Sequence, residues 1–231
     1  MTTAAALSSP DNAALAVSAG AAMFYWTKIR SPPSVGRMAV KTAATALLAA
    51  AASLRGGSQH LVGALALGAA GDAFLSWDGD AAFLGGLTSF LVGHTLYMFE
   101  FAHAHAAGFN GIRLLDGGRE IAALVLAGLV AIMMLVLPPR VATGLGVPVF
   151  IYAVAIFFMD LTALATNNNQ VMAGALMFTG SDALLAVDRF LVAPASPHRS
   201  WMQKAVWFLY YTGQLLMAVG ALSMAPEVLR Q

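Results

Sequence analysis

The chain has 231 residues, 59% of them hydrophobic and 10% charged, with a mean hydropathy of +0.75, against roughly 25% charge in an ordinary soluble domain. That balance marks an integral membrane protein, and at about 20 residues per span eight spans use roughly 160 residues, leaving no room for a soluble domain. The net charge of +1 without a basic block excludes nucleic acid as an expected partner, and the absence of cysteine excludes disulfides, thiolate nucleophiles and Cys-based metal sites.

The N-terminal stretch MTTAAALSSPDNAAL has no basic residue before its first apolar run, so no cleaved signal is expected. Apolar runs bounded by charge, Pro and Gly predict a single all-α domain over 1–231, an integral membrane bundle of eight helices. The spans fall near 12–28, 37–54, 60–77, 81–103, 119–137, 145–165, 170–191 and 201–223. Breakers mark the loops: Ser31-Pro32-Pro33, Gly56-Gly57, Asp78-Gly79-Asp80, Gly111 to Gly118, Pro138-Pro139, Asn167 to Asn169, and Pro194 to Pro197. Alanine-rich spans with 22 glycines favour close helix contact, which is how bundles associate in lipid.

Eight spans place both termini on one side. Lys28, Arg30, Arg37, Lys41, Arg140, Arg189, Arg199 and Lys204 gather at the opposite side, against Arg55, Arg113, Arg119 and Arg230 on the terminal side. The positive-inside rule then turns the termini away from the cytoplasm.

Residues 71–78 (GDAFLSWD) and 181–188 (SDALLAVD) share four of eight positions at an offset of 110. The third and seventh spans run in the same direction, so the echo fits two parallel four-helix repeats. Chance in an Ala/Leu-rich chain explains it equally well.

The echo holds Asp72 and Asp182, each well inside its span. A carboxylate there costs about 3 kcal/mol on insertion scales, which makes both candidate catalytic residues. His94 lies mid-span in the fourth helix, with Tyr97 at i+3 on the same face. His103 and His105 fall at the far end of that helix, too distant to share a metal with His94. Tyr210, Tyr211 and Gln214 share a face of the last span and can orient a head group or bond across helices. Lys41, one turn inside the second span, either snorkels to the interface or contacts a phosphate. Asp160 and Glu100 read as interfacial or inter-helix hydrogen-bonding groups. Ser181 precedes Asp182 and points about 100° away, which makes it a substrate contact rather than a nucleophile. No serine-hydrolase elbow, zinc-protease motif, phosphate loop or dinucleotide fingerprint is present.

Taken in order, Gly71-Asp72, Gly85-Gly86-Leu87 with Phe90 and His94-x-x-Tyr97, Gly174-Ala175-Leu176-x-Phe178 with Ser181-Asp182, and Tyr210-Tyr211-x-x-Gln214-Leu215-Leu216 resemble the YhhN family of bacterial membrane proteins. The likeness runs from about Lys41 to Leu216. A Pro usual after the second-span Lys is Thr42 here. The resemblance implies eight transmembrane helices in a bacterial inner membrane. Animal members of the family are lysoplasmalogenases, so it also implies hydrolysis of the vinyl ether bond of lysoplasmalogens to a fatty aldehyde and a glycerophospho-base.

The residues suit that chemistry. A vinyl ether must be protonated on carbon and the resulting oxocarbenium ion captured by water, work that two carboxyl groups perform in glycosidases. Asp72 and Asp182 would share a proton, His94 would tune or relay it, and Tyr97 would hold the water. The expected substrate is a lysophospholipid reaching the site from the inner leaflet. Its phosphate would contact Lys41, on a rim that also holds Arg37 and Arg189, and its tail would run inward toward His94 and Tyr210/Gln214. No cofactor and no metal are expected, and no oligomeric partner is read. A proton-coupled transporter, a metal-dependent hydrolase using Asp72, His94 and Asp182 as ligands, and a purely structural bundle are the alternatives.

Overall fold

The computed structural model describes residues 9–107, 118–136 and 144–224. Among these the chain forms eight helices: α1 (Pro10–Lys28), α2 (Val35–Leu54), α3 (Gln59–Phe74), α4 (Asp80–Ala107), α5 (Gly118–Val136), α6 (Gly146–Ala165), α7 (Asn169–Phe190) and α8 (Arg199–Met224). Most ends fall within two residues of the breakers that set them in the sequence. The expected loops at Gly111 and Pro138-Pro139, with Arg113, Arg140 and Arg230, lie outside the described residues.

Among the described residues, five helices, α2, α4, α6, α7 and α8, are long and apolar enough to cross a membrane. The shortest is α3, whose 16 residues span about 24 Å at 1.5 Å per residue. It ends at Phe74 rather than near 77. There the Leu75 N–H bonds the Gly71 carbonyl (2.9 Å) and the Ser76 hydroxyl bonds the Asp72 carbonyl (2.7 Å), so the chain has turned before Gly79 takes φ +101°.

Helices α1 to α4 pack in sequence order, α7 lies along α8, α6 bears on α4, α5 and α7, and α8 returns onto α2. The second helix of each four thus meets the last helix of the other four. Small residues permit the closest of these approaches: a Cβ added to Gly174 would stand 2.7 Å from the Gly213 carbonyl oxygen, and one added to Gly213 would stand 2.8 Å from that of Gly174. Backbone atoms cannot swing aside. Gly213→Ala should therefore prise α8 from α7 and cost about 1–3 kcal/mol of overpacking, read as a lower melting temperature in detergent.

Candidate active site

Asp72 is 1% exposed, and three donors converge on its carboxylate. The Lys41 ammonium from α2 lies 3.1 Å from Oδ1, while Thr45 and Tyr210 donate to Oδ2 at 2.7 and 2.8 Å. Lys41 and Thr45 are four residues apart, one turn along the same face of α2. Lys41 is therefore turned inward, its side chain 12% exposed, and it does not snorkel. Tyr210 reaches Asp72 because α8 comes close to α3 at Gly68, where an added Cβ would meet the Gln214 side chain at 2.6 Å.

Asp182 forms a second cluster. The Tyr152 hydroxyl of α6 donates to Oδ2 of Asp182 and lies 2.9 Å from Nε2 of His94, whose ring nitrogen is 4.0 Å from the same carboxylate oxygen. Since the Tyr152 hydroxyl proton goes to Asp182, the short contact with His94 requires Nε2 to carry a proton and donate. The Nδ1 of His94 is buried and has no hydrogen-bond partner among the described residues. Asp182 itself is 19% exposed.

Both carboxylates line one cavity of about 260 Å³, along with Arg37, Lys41, Ser181 and Tyr210. Their partners are separate: Lys41, Thr45 and Tyr210 for Asp72, and Tyr152 for Asp182, with His94 bonded to Tyr152. At its mouth Arg199 makes a two-pronged pair with Asp188 (2.9 and 3.1 Å), and Arg189 pairs with Asp80 (2.9 Å) over the ring of Phe83. The Arg37 guanidinium instead bonds three neutral oxygens: the Ser76 carbonyl, the Tyr25 hydroxyl and the Ile29 carbonyl. Its charge meets no carboxylate in these bonds.

The remaining candidates lie elsewhere. Tyr97 donates to Gln214 at 2.6 Å, both fully buried, and neither lines the cavity. Tyr211 bonds the Ser18 hydroxyl at 2.8 Å. Ser181 borders the cavity, but its hydroxyl donates to the Val206 carbonyl at 3.0 Å. Rings of Phe90, Phe178, Tyr210 and His94 pack on one another, with neighbouring centroids 4.9–5.9 Å apart. Asp160 is buried, accepts from Thr179 at 2.7 Å across α6 and α7, and keeps Oδ1 without a partner among the described residues. Glu100 accepts from Ser58, and His103, at the exposed end of α4, stacks on His60.

The partners that the sequence left unnamed are Thr45 and Tyr152. Each carried a signal. Thr45 lies one turn deeper than Lys41, and Tyr152 shares the buried stripe Tyr152, Ile156, Asp160, Ala163 of an otherwise apolar helix.

These features define a helical integral membrane protein with two carboxylate clusters, one buried and one partly exposed, facing one polar cavity. The chain belongs to the YhhN family, which it matches over residues 36–221. It is similar to lysoplasmalogenase TMEM86B of Homo sapiens, 33% identical over 167 residues that cover 72% of this chain and 65% of the relative. Likeness to the Sus scrofa TMEM86B is 32% over 175 residues (75% and 67%), and to lysoplasmalogenase TMEM86A of Homo sapiens 29% over 174 residues (71% and 65%). The chain thus spans just under two thirds of the length of each human relative. No solved structure matches it.

Proposed function

We propose that the protein is a membrane-embedded hydrolase that cleaves the vinyl ether bond of lysoplasmalogens by a two-aspartate acid/base mechanism. The observation that carries this reading is the pair of carboxyl groups with unlike surroundings on one cavity. Three donors, one of them cationic, suit Asp72 to remain an anion. Asp182 has one neutral donor and is open to the cavity, which suits it to give up a proton. Asp182 protonates the alkenyl carbon β to the ether oxygen, and the oxocarbenium ion forms within reach of the Asp72 charge. Water then adds to the carbon bearing oxygen and yields its proton to Asp72. In the hemiacetal, the hydroxyl proton returns to Asp182 and Asp72 passes its proton to the departing glycerol oxygen, releasing the aldehyde and restoring both carboxyl groups.

Tyr152 and His94 hold Asp182 toward the substrate. Arg37, with no carboxylate on it, meets the phosphate at the mouth. In this reading all eight helices cross a bacterial inner membrane, the termini face away from the cytoplasm, and the mouth opens to the inner leaflet. The packing of α2 on α8 and of α6 on α4 supports two four-helix repeats. Each aspartate takes a partner from the second helix of its own four and the last helix of the other four.

The test is mass spectrometry of products from purified protein given alkenyl and ester lysolipids, with Asp72→Asn as the blank. Aldehyde and glycerophospho-base from the alkenyl lipid alone are expected, and no aldehyde would remove the reading. Because His94 lies with Asp182 and not with Asp72, the three do not form one ligand set. Turnover should survive exhaustive chelation; loss restored by one particular ion would establish the metal-dependent alternative.

A further inference from the structure

The polar cavity accounts for the head group of such a lipid but not for its hydrocarbon chain, and the chain begins at the atom to be protonated. In a vinyl ether the carbon that receives the proton is the one that carries the alkyl chain. The chain must therefore leave from beside the proton donor. Tyr97 and Gln214, deeper in the bundle, line neither the polar cavity nor an apolar cleft at Asp182.

Two apolar clefts do reach Asp182. One of about 60 Å³ lies between α4, α6 and α7, lined by Leu87, Phe90, Val149, Ala186 and Phe190. The other, of about 70 Å³, lies between α5, α6 and α7, with Leu129, Met133, Ala153 and Ile156 on its walls. They differ in how they join the polar cavity. The first shares Leu75, Phe83, Phe90 and Leu185 with it as well as Asp182, whereas the second shares Asp182 alone. Only the first gives an apolar wall that continues unbroken from the cavity past the carboxylate.

We infer that the cleft between α4, α6 and α7 is the subsite for the substrate's aliphatic chain, and that Leu87 on its wall sets which chains are accepted. The inference rests on the hydrolase reading above and adds the direction in which the lipid lies: head group among Arg37 and the mouth, vinyl ether between the aspartates, chain sideways past Leu87. A chain seated there is selected by its length and shape, so chain length is the readout.

The experiment compares kcat/KM for hexadecenyl and hexenyl glycerophosphocholine in the wild type, Leu87→Trp and Met133→Trp, all in the same detergent. Leu87→Trp should lower the long-to-short ratio at least about tenfold, because the indole occupies the cleft. Met133→Trp, in the other cleft, should leave the ratio within about twofold. An unchanged ratio in Leu87→Trp, or a fall confined to Met133→Trp, overturns the assignment. If Leu87→Trp loses both substrates, Leu87→Ala decides: the enlarged cleft should favour a methyl-branched chain over a straight one, and an unchanged preference overturns the subsite. Cleavage by the wild type with no shift in any variant removes the subsite alone. No cleavage of either lipid by the wild type removes the hydrolase reading and the subsite with it.

Discussion

Asp182→Asn should lower kcat by about a thousandfold, as loss of a general acid does, while yield and melting temperature stay near those of the wild type. The amide oxygen can still accept from Tyr152, so the helix contact survives, but Asn has no proton to give to carbon. Asp72→Asn should fall by a similar factor for the complementary reason. It keeps hydrogen-bonding capacity toward Thr45 and Tyr210 but removes the charge that the oxocarbenium ion meets and the base that takes the proton from water. The informative control is Asp160→Asn. Asp160 is as deeply buried as Asp72 and also accepts from a threonine hydroxyl, yet it does not line the cavity. Its variant should keep turnover within about threefold, since its carboxyl bonds Thr179 and does not border the cavity. If all three variants lose activity alike, burial itself is what matters and the two-aspartate mechanism goes; if Asp182→Asn stays within about threefold of wild type, Asp182 is not the acid.

Much of the fold and the centre of the site is legible in the sequence because bilayer burial is expensive. Runs of Ala, Leu and Val end where Pro, Gly or charge makes them end, and a carboxylate amid such a run stands out without any knowledge of its neighbours. Asp72, Asp182 and His94 are visible in this way. What the sequence does not carry is which face of each helix meets which partner. Tyr97 and Gln214 look like a site because they are polar at depth; in the structure they satisfy each other at 2.6 Å and do not line the cavity. Tyr211, one residue from Tyr210, bonds Ser18 because one residue is about 100° of helix. Tyr152 is the reverse case. No candidate catalytic residue lies near it in sequence, and the packing of α6 against α4 and α7 brings its hydroxyl between His94 and Asp182. The short end of α3 was obscured for a local reason: Leu75 and Trp77 are apolar and read as a continuing span, although the backbone has already turned at Ser76.

Lys41 gives the sharpest separation between what spacing suggests and what geometry implies. One turn inside a span, it reads as a phosphate contact, and a phosphate contact predicts a raised KM with kcat little changed. Its ammonium instead lies 3.1 Å from a carboxylate that is 1% exposed. Removing one member of such a pair leaves the other charge buried and unpaired, at a cost of about 3–5 kcal/mol. Lys41→Met should therefore lower the melting temperature markedly. It should also lower kcat more than it raises KM, because Asp72, the base of the proposed mechanism, loses the cation beside it. Lys41→Met combined with Asp72→Asn should regain most of the lost stability, since no buried charge is then left alone, and regain none of the activity. Arg37→Met should show the opposite kinetic pattern, a KM raised about tenfold, the worth of one charge-assisted contact, with kcat nearly unchanged. The three variants are compared by thermal unfolding in detergent and by initial rates across lysolipid concentration. A double variant no more stable than Lys41→Met would mean that the pair is not what holds Lys41 in place. A KM effect at Lys41 with kcat intact would return the phosphate to Lys41 and leave Asp72 without its counter-ion during turnover.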